Sequence, residues 1–311
     1  MMRHYRLRDS KLVLNDGDPA ESQVLVYIEP SDAEKRFLVD TYKLDEHTLM
    51  SALDPDEISR VEFEPEHAAI IYKRPKNYSG NEQFLFRVMS AGLFWFRERV
   101  ILVVSEEIPL FDTKHFSRIT SLNDLVLKIL NRSVGHYLEH LRIINMISEQ
   151  LERKLNQAME NRYLINMFTL EKSLVYYLNA ITANVMVIDK LKASAVKLGF
   201  TTDESEALED LIIENHQCAK QAEIHSHVLG GLLSAHASII SNNLNVMMKN
   251  LNAMVIAITV PSFIAGVGGM SEFSMMVGAE NWPVAYTIFI CLNILFGIAI
   301  YRFIRRWEHR R

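Results

Sequence analysis

Two apolar stretches near the end of the chain, LNAMVIAITVPSFIAGV (Leu251–Val267) and PVAYTIFICLNILFGIAIYRFI (Pro283–Ile304), decide the fold. Neither contains a formally charged residue before Arg302. A helix needs about 20 largely apolar residues to cross the roughly 30 Å hydrocarbon core of a bilayer. The second stretch has that length, and the first gains it from the helical pattern that precedes it. The sequence therefore predicts two C-terminal transmembrane helices.

The distribution of charge predicts the orientation of these helices. The last ten residues carry five arginines and one glutamate, whereas residues 1–115 carry 15 basic and 21 acidic residues. Basic residues beside a span favour the cytoplasmic side of a membrane. We therefore expect a multi-pass protein of the inner membrane, in contact with membrane lipid, with both termini in the cytoplasm. The acidic N-terminal part argues against nucleic acid as a partner.

The first 110 or so residues mix strand and helix signals. Short runs rich in β-branched and aromatic residues predict strands, at Gln23–Glu29, Ala68–Tyr72, Gln83–Met89 and Arg99–Ser105. Ser31 and Glu34 have the spacing of a capping box, which predicts a helix over Asp32–Tyr42, and a second helix is expected near Asp45–Leu53. Together these signals predict an α/β domain around a small sheet, with a turn over 73–81.

Long helical patterns follow from about residue 117, at roughly 117–156, 158–198 and 203–267. Gly199 separates the second pattern from the third, and Thr201, Thr202 or Asp203 would cap the third helix. A soluble helical bundle would explain these patterns taken without the C-terminus. The third pattern, however, runs into the first apolar stretch, and Pro261 is the first proline within it. One helix is thus expected to continue from the cytoplasm into the membrane.

The predicted fold class is an α+β multi-domain membrane protein. It comprises an N-terminal cytoplasmic α/β domain (1–115), long helices forming a stalk (116–250), a first transmembrane helix (251–270), a periplasmic loop (271–282), a second transmembrane helix (283–304) and a basic cytoplasmic tail (305–311).

A polar stripe runs along the third long helix, at Asn242, Asn245, Asn252, Thr259 and Ser262. The spacings of 3, 7, 7 and 3 keep these residues near one face of a helix. Such side chains inside a membrane either form hydrogen bonds between helices or face a water-filled path. One helix cannot enclose a path, so the second interpretation requires several copies of the chain around an axis.

The same region carries a family resemblance. SNNLNVMMK (Ser241–Lys249) leads into PSFIAGVGGMS (Pro261–Ser271), which resembles the CorA family of two-span divalent-metal transporters. The hallmark of that family is Gly-Met-Asn at the outer end of the first span. YIEPS (Tyr27–Ser31), LDEH (Leu44–His47) and RVEFE (Arg60–Glu64) are similar to parts of its α/β domain. The resemblance therefore covers most of the chain.

The resemblance implies a homopentamer with its pore on the five-fold axis. By position, the pore-lining residues of the family fall on Asn245, Met248, Leu251, Thr259 and Ser262. Met248 and Leu251 would form an apolar constriction, which can gate by dewetting. The selectivity-filter motif falls on Gly269, Met270 and Ser271, so that a serine stands where the family has asparagine. The aspartate of the family at the cytoplasmic mouth falls on Ser234.

Further acidic residues receive roles from the resemblance. Glu272 and Glu280, in the outer loop, would attract cations to the mouth of the pore, although they would also serve simply to solvate the loop. Asp210, with Glu214, is similar to the site by which family members sense cytoplasmic Mg²⁺. The resemblance implies no cofactor: a divalent cation is the transported ion and a candidate regulatory ion.

The ion most consistent with the stripe is Mg²⁺. Mg²⁺ gives up its water reluctantly, and uncharged oxygens would let a hydrated ion pass without holding it too tightly. Four histidines and a glutamate on the third helix leave an alternative open, because imidazole suits Zn²⁺, Co²⁺ or Ni²⁺ better; they are His216, Glu223, His225, His227 and His236. Solvated or interfacial side chains are the simpler explanation of these residues.

The sequence carries none of the motifs that would indicate an enzyme: neither a phosphate-binding loop, nor Gly-x-Gly-x-x-Gly, nor His-Glu-x-x-His occurs in it. We therefore expect a protein without enzymatic activity. A third possibility is a membrane-anchored regulator that has lost transport, which the serines at 234 and 271 would allow.

Overall fold

The computed structural model describes residues 1–15, 17–78, 84–107, 111, 116–158, 160–269, 275 and 282–308. The described strands are β1 (Met2–Arg8), β2 (Lys11–Leu14), β3 (Val24–Ile28), β4 (Arg60–Phe63), β5 (His67–Pro75), β6 (Val88–Phe96) and β7 (Val100–Val104). The helices are α1 (Asp32–Tyr42), α2 (Glu46–Ser51), α3 (Leu122–Ala158), α4 (Asn161–Ala193), α5 (Thr202–Gly268) and α6 (Trp282–Glu308). The chain divides into two compact units, Met1–Leu233 and Ser234–Arg311, and α5 contributes to both.

The N-terminal unit is built on one sheet with the strand order β2-β1-β3-β7-β6-β5-β4. Strands β3 and β7 are parallel, and the other neighbouring pairs are antiparallel. Successive side chains of a strand point to opposite faces, so the buried strand β3 feeds two cores. Val24 and Val26 pack with the long helices, whereas Leu25 and Tyr27 pack with Leu38 of α1 and with α2.

The predicted helix after Ser31 is confirmed as α1, over Asp32–Tyr42. The Glu34 backbone N–H donates to Ser31 Oγ (3.3 Å), and the Ser31 backbone N–H donates to Glu34 Oε2 (2.8 Å), so both bonds of the capping box form. The hydrogen bonds outweigh burial and lower the pKa of Glu34, because they favour the ionised carboxylate. Helix α2 is shorter than predicted, at Glu46–Ser51.

The strand predicted at Gln83–Met89 is wrong over its described first part. Residues 84–87 form no strand, and β6 begins only at Val88 and continues to Phe96. Phe86 is instead buried, and its backbone N–H donates to Ser173 Oγ of α4 (3.0 Å). The aromatic residues of this connecting segment pack against the helices. Their burial explains why an apolar run occurs here although no strand forms.

The predicted turn over 73–81 begins later than expected, because β5 continues through Pro75. The side chain of Asn184, on α4, takes the place of a neighbouring strand at Lys73. Its Oδ1 accepts from the Lys73 backbone N–H (2.8 Å) and its Nδ2 donates to the Lys73 carbonyl (2.7 Å). A buried backbone group without a hydrogen-bond partner is costly. The Asn184 carboxamide supplies both partners at Lys73, so β5 can extend beyond the end of its pairing with β4.

The three predicted long helices are confirmed as α3, α4 and α5, with ends that differ by several residues in places. Gly199 has a positive φ of 72°, a conformation that glycine adopts without strain, and it lies in the break before α5. Pro261 does not end α5, which continues without interruption to Gly268.

One buried carboxylate joins the N-termini of α3 and α5. Glu204 accepts hydrogen bonds from the Thr201 backbone N–H (2.9 Å), from Asn123 Nδ2 (3.2 Å) and from the Ser121 hydroxyl. Burial alone would raise the pKa of Glu204, but these hydrogen bonds outweigh burial and the pKa is lowered. A negative charge also suits the positive end of a helix dipole, so Glu204 stabilises both helix starts.

We predict that Glu204→Gln lowers the free energy of unfolding of the N-terminal unit by about 1.5–3 kcal/mol at neutral pH, the value of hydrogen bonds to a charged group. A lowered folded-state pKa stabilises the fold fully above the ordinary glutamate pKa, and this contribution is lost as the pH falls through the lowered value. The deficit of the variant should therefore shrink below about pH 4. Thermal unfolding followed by circular dichroism, as a function of pH, measures it.

Glu206→Gln is the matched control, because Glu206 lies two residues further along α5 but is exposed. Equal losses of stability in the two variants, or a Glu204→Gln deficit that does not change with pH, would contradict this role of Glu204.

Candidate functional site

The polar stripe of α5 lies on the surface of the C-terminal unit. The side chains of Asn245, Asn252, Thr259 and Ser262 are all exposed in the single chain. Met248 and Leu251, the predicted constriction, are also exposed, at 54% and 51%. Exposed amide and hydroxyl groups on a membrane-spanning helix are costly in contact with lipid. These side chains therefore need a polar environment, either water or another protein surface, on their exposed side.

The two hydroxyl groups of the stripe are oriented by their own helix. Thr259 Oγ1 donates to the Val255 carbonyl (2.7 Å), and Ser262 Oγ donates to the Ile258 carbonyl (2.8 Å). Each hydroxyl has one proton and two lone pairs, so the proton is used and the lone pairs remain. Both oxygens are therefore left as hydrogen-bond acceptors on the exposed face.

The opposite face of α5 packs against α6. A methyl group on Gly297 would lie only 3.1 Å from the Ala257 carbonyl oxygen and 3.2 Å from Pro261 Cγ, so the helices approach closely there. Pro261 has no N–H to donate to the Ala257 carbonyl four residues earlier. Further along, Tyr286 Oη donates to the Gly268 carbonyl (3.3 Å). These contacts close the two apolar helices into a hairpin.

The helix period separates these two faces. At 3.6 residues per turn each residue advances by about 100°. Ala257 and Gly268, eleven residues apart, therefore lie on nearly the same side, whereas Thr259, two residues from Ala257, lies roughly opposite. Thr259 and the face that packs on α6 are thus on different sides of α5, whereas Ser262 lies between them and lines the groove beside α6.

The sequence did not predict the close approach at Gly297 or the position of Asn293. Asn293 lies mid-way along α6, where Nδ2 donates to the Phe289 carbonyl (3.2 Å) and Oδ1 is shielded and accepts no hydrogen bond within the described chain. In the sequence, a single glycine and a single asparagine among the bulky apolar residues of the second span were the signals that could have indicated these two features.

The predicted selectivity-filter motif is described only at its first residue. Gly269 follows the end of α5, and its backbone N–H donates to the Ala265 carbonyl (3.0 Å). Met270, Ser271, Glu272 and Glu280 lie outside the described residues.

The candidate regulatory residues Asp210 and Glu214 lie one turn apart on α5 and are both exposed. Among the residues that the structure describes, no group of three or more His, Cys, Asp or Glu side chains could hold a metal ion. The same finding covers the histidines of α5, where the Glu223 carboxylate pairs with Lys220 Nζ (2.7 Å). A metal site at Asp210 would need a ligand from a second copy or from undescribed residues.

Two helices of the described chain, Thr202–Gly268 and Pro283–Arg306, are long and apolar enough to cross a membrane. The model of the CorA-like Mg²⁺ transporter protein family matches residues 24–306. The chain belongs to this family. It is therefore a divalent-cation transport protein of a membrane, with an N-terminal α/β sheet domain, a long helix and two C-terminal apolar helices.

One curated relative and two solved structures are similar to this chain. The cobalt/magnesium transport protein CorA of Methanocaldococcus jannaschii is 25% identical over 303 residues, which cover 92% of both chains. The complete structure of the CorA magnesium transporter from the same organism has a TM-score of 0.79 at 21% identity, over 98% of both chains. The full-length CmaX protein has a TM-score of 0.70 at 15% identity, over 98% of this chain and 97% of the other.

We predict that Gly297→Leu disrupts the helix hairpin, because a larger side chain has no space beside Ala257 and Pro261; overpacking of this kind costs about 1–3 kcal/mol. The expected result is a lower melting temperature of the intact protein in detergent.

Ala299→Leu is the control, since Ala299 is exposed on the same helix. If Gly297→Leu were as stable as Ala299→Leu, the close contact between α5 and α6 would be refuted.

Proposed function

We propose that the protein is a channel or transporter that passes hydrated Mg²⁺ across the cytoplasmic membrane through a pore on the axis of a homopentamer. The observation that carries this proposal is the stripe of uncharged oxygens on α5, on the side away from the face that packs on α6. Five such stripes around an axis would line a path that is polar except where Met248 and Leu251 face it. The name of the cobalt/magnesium relative supports the choice of ion.

The chemistry of the stripe fits a hydrated cation. Water molecules bound to a cation turn their hydrogen atoms outward, so a lining must offer acceptors. Thr259 and Ser262 offer oxygen lone pairs because their protons are engaged with the helix backbone. The sequence from Ser234 to Gly269 contains no carboxylate that would bind a divalent ion too tightly to release it.

The remaining site residues take their proposed roles around this path. Asn245 would add a polar ring, and Met248 with Leu251 the apolar constriction. Gly269, Met270 and Ser271 would form the outer filter, with Glu272 and Glu280 concentrating cations outside it. With both termini in the cytoplasm, inward movement of a divalent ion gains about 4.6 kcal/mol per 100 mV of membrane potential, twice the value for a single charge.

Regulation by the transported ion is proposed at Asp210 and Glu214. Both carboxylates are exposed on a helix that would line up with its copies in a ring. Carboxylate oxygens are the ligands that Mg²⁺ prefers, and a second copy would have to complete the site.

The test is ion flux into liposomes that contain the purified protein. We predict that Thr259→Val, which keeps the side-chain shape and removes the acceptor oxygen, lowers the Mg²⁺ flux about tenfold, equivalent to about one hydrogen bond of 1.4 kcal/mol. A Mg²⁺-sensitive dye inside the liposomes measures the initial rate.

Thr287→Val is the matched control, because Thr287 on α6 makes the same kind of bond to its own helix, to the Pro283 carbonyl (2.8 Å). Equal flux through the two variants would contradict the pore assignment. Parallel assays with Co²⁺ and Zn²⁺ test the alternative ions, and no flux of any ion in the unaltered protein would favour a regulator without transport.

A further inference from the structure

A groove of about 770 Å³ lies between α5 and α6 in the C-terminal unit. Its walls are mainly apolar, with Ala257, Ala265, Ile290 and Ile294 among the lining residues. Its polar lining includes Tyr301, Arg302 and Arg305, towards the C-terminal end of α6. The groove is therefore amphipathic along its length.

The groove is long enough to hold an acyl chain of one leaflet of a bilayer. Its lining on α6 runs from Phe289 to Arg305, sixteen residues or about 24 Å at 1.5 Å per residue. Half of a hydrocarbon core of roughly 30 Å is about 15 Å. The groove is thus longer than the hydrocarbon part of one leaflet, and its charged end is at the C-terminal end of α6.

The charged end of the groove is built from two neighbouring side chains. Arg302 and Arg305 are three residues apart on a helix and so share a face, and both are exposed. The Arg305 guanidinium carbon lies 6.0 Å from the centre of the Tyr301 ring. Among the side chains that the structure describes, which on α6 end at Arg306, no ion pair involves either arginine.

Charge also distinguishes between possible occupants. The sequences Ser234–Gly269 and Pro283–Arg306 contain no aspartate or glutamate. Within these two segments a second copy would therefore bring no negative charge to the two guanidinium groups; the one glutamate of α6, Glu308, follows them in the sequence. An anionic phospholipid supplies both parts of the match, a phosphate for the arginines and an acyl chain for the apolar walls.

We propose that the groove between α5 and α6 binds an anionic phospholipid, with its phosphate on Arg302 and Arg305 and one acyl chain between Ala265 and Ile294. Arginine suits this role because its guanidinium group recognises phosphate oxygens in a bidentate manner. Tyr301 lies where an amphipathic ring is favoured, at the membrane interface. Ser262 of the polar stripe also lines the groove, whereas Asn245, Asn252 and Thr259 do not. The proposal does not depend on which ion the protein transports.

The test is native mass spectrometry of the intact protein, released from nanodiscs made of equal parts phosphatidylglycerol and phosphatidylcholine. We expect the unaltered protein to retain phosphatidylglycerol preferentially. Arg305→Gln should lower the retained phosphatidylglycerol about fivefold, the effect of one basic residue near an anionic headgroup. Ala265→Phe, which fills the groove and keeps both arginines, should lower it as well.

Arg306→Gln is the control, since it removes the same charge from a residue outside the groove lining; its expected effect is less than twofold. The proposal is overturned if Arg306→Gln and Arg305→Gln lose lipid equally, which would indicate general surface attraction, or if the unaltered protein shows no preference for phosphatidylglycerol. It is also overturned if Ile294→Cys, with Cys291→Ser, cross-links efficiently between copies, which would place a second copy in the groove.

Discussion

Polar side chains on a membrane-spanning helix cannot face lipid without cost, and this constraint governs the C-terminal unit. Helix α5 packs on α6 through two small residues and a proline, Ala257, Gly268 and Pro261. That contact uses one side of the helix and leaves Thr259 and Asn252 uncovered on another. In a single chain these groups have no protein environment, so association of several chains is the arrangement that relieves the cost.

The same constraint connects local hydrogen bonding to the proposed transport. A hydroxyl inside a membrane lowers its cost by donating to its own helix, as Thr259 and Ser262 do. This donation also fixes which part of the hydroxyl is presented outward. In the proposed pore the same side chain would accept hydrogen bonds from the water shell of a cation, so that one interaction would serve both stability and transport.

Some features were predictable from sequence because they depend on neighbouring residues. The capping box of Ser31 and Glu34 fixed the start of α1, and the two apolar stretches identified both C-terminal helices. Other features depend on distant contacts. Phe86 resembled part of a strand, but Ser173 holds its backbone outside the sheet. In β1 the alternation over Tyr5–Arg8 is a strand signal that the prediction missed, and β2, with the four residues KLVL, is too short to give one. Family membership was recognisable from the motif around Gly269, whereas the close approach at Gly297 required knowledge of its partner.

The central claim is that copies of α5 turn their polar stripe towards a shared water-filled path. The most direct measurement is the accessibility of cysteines to a membrane-impermeant methanethiosulfonate reagent, in liposomes and in a Cys291→Ser background. The account predicts that Thr259→Cys is modified and that its ion flux is then blocked, whereas Ala299→Cys on α6 is neither modified nor blocked. An unreactive cysteine at position 259, together with a reactive one at 299, would contradict it.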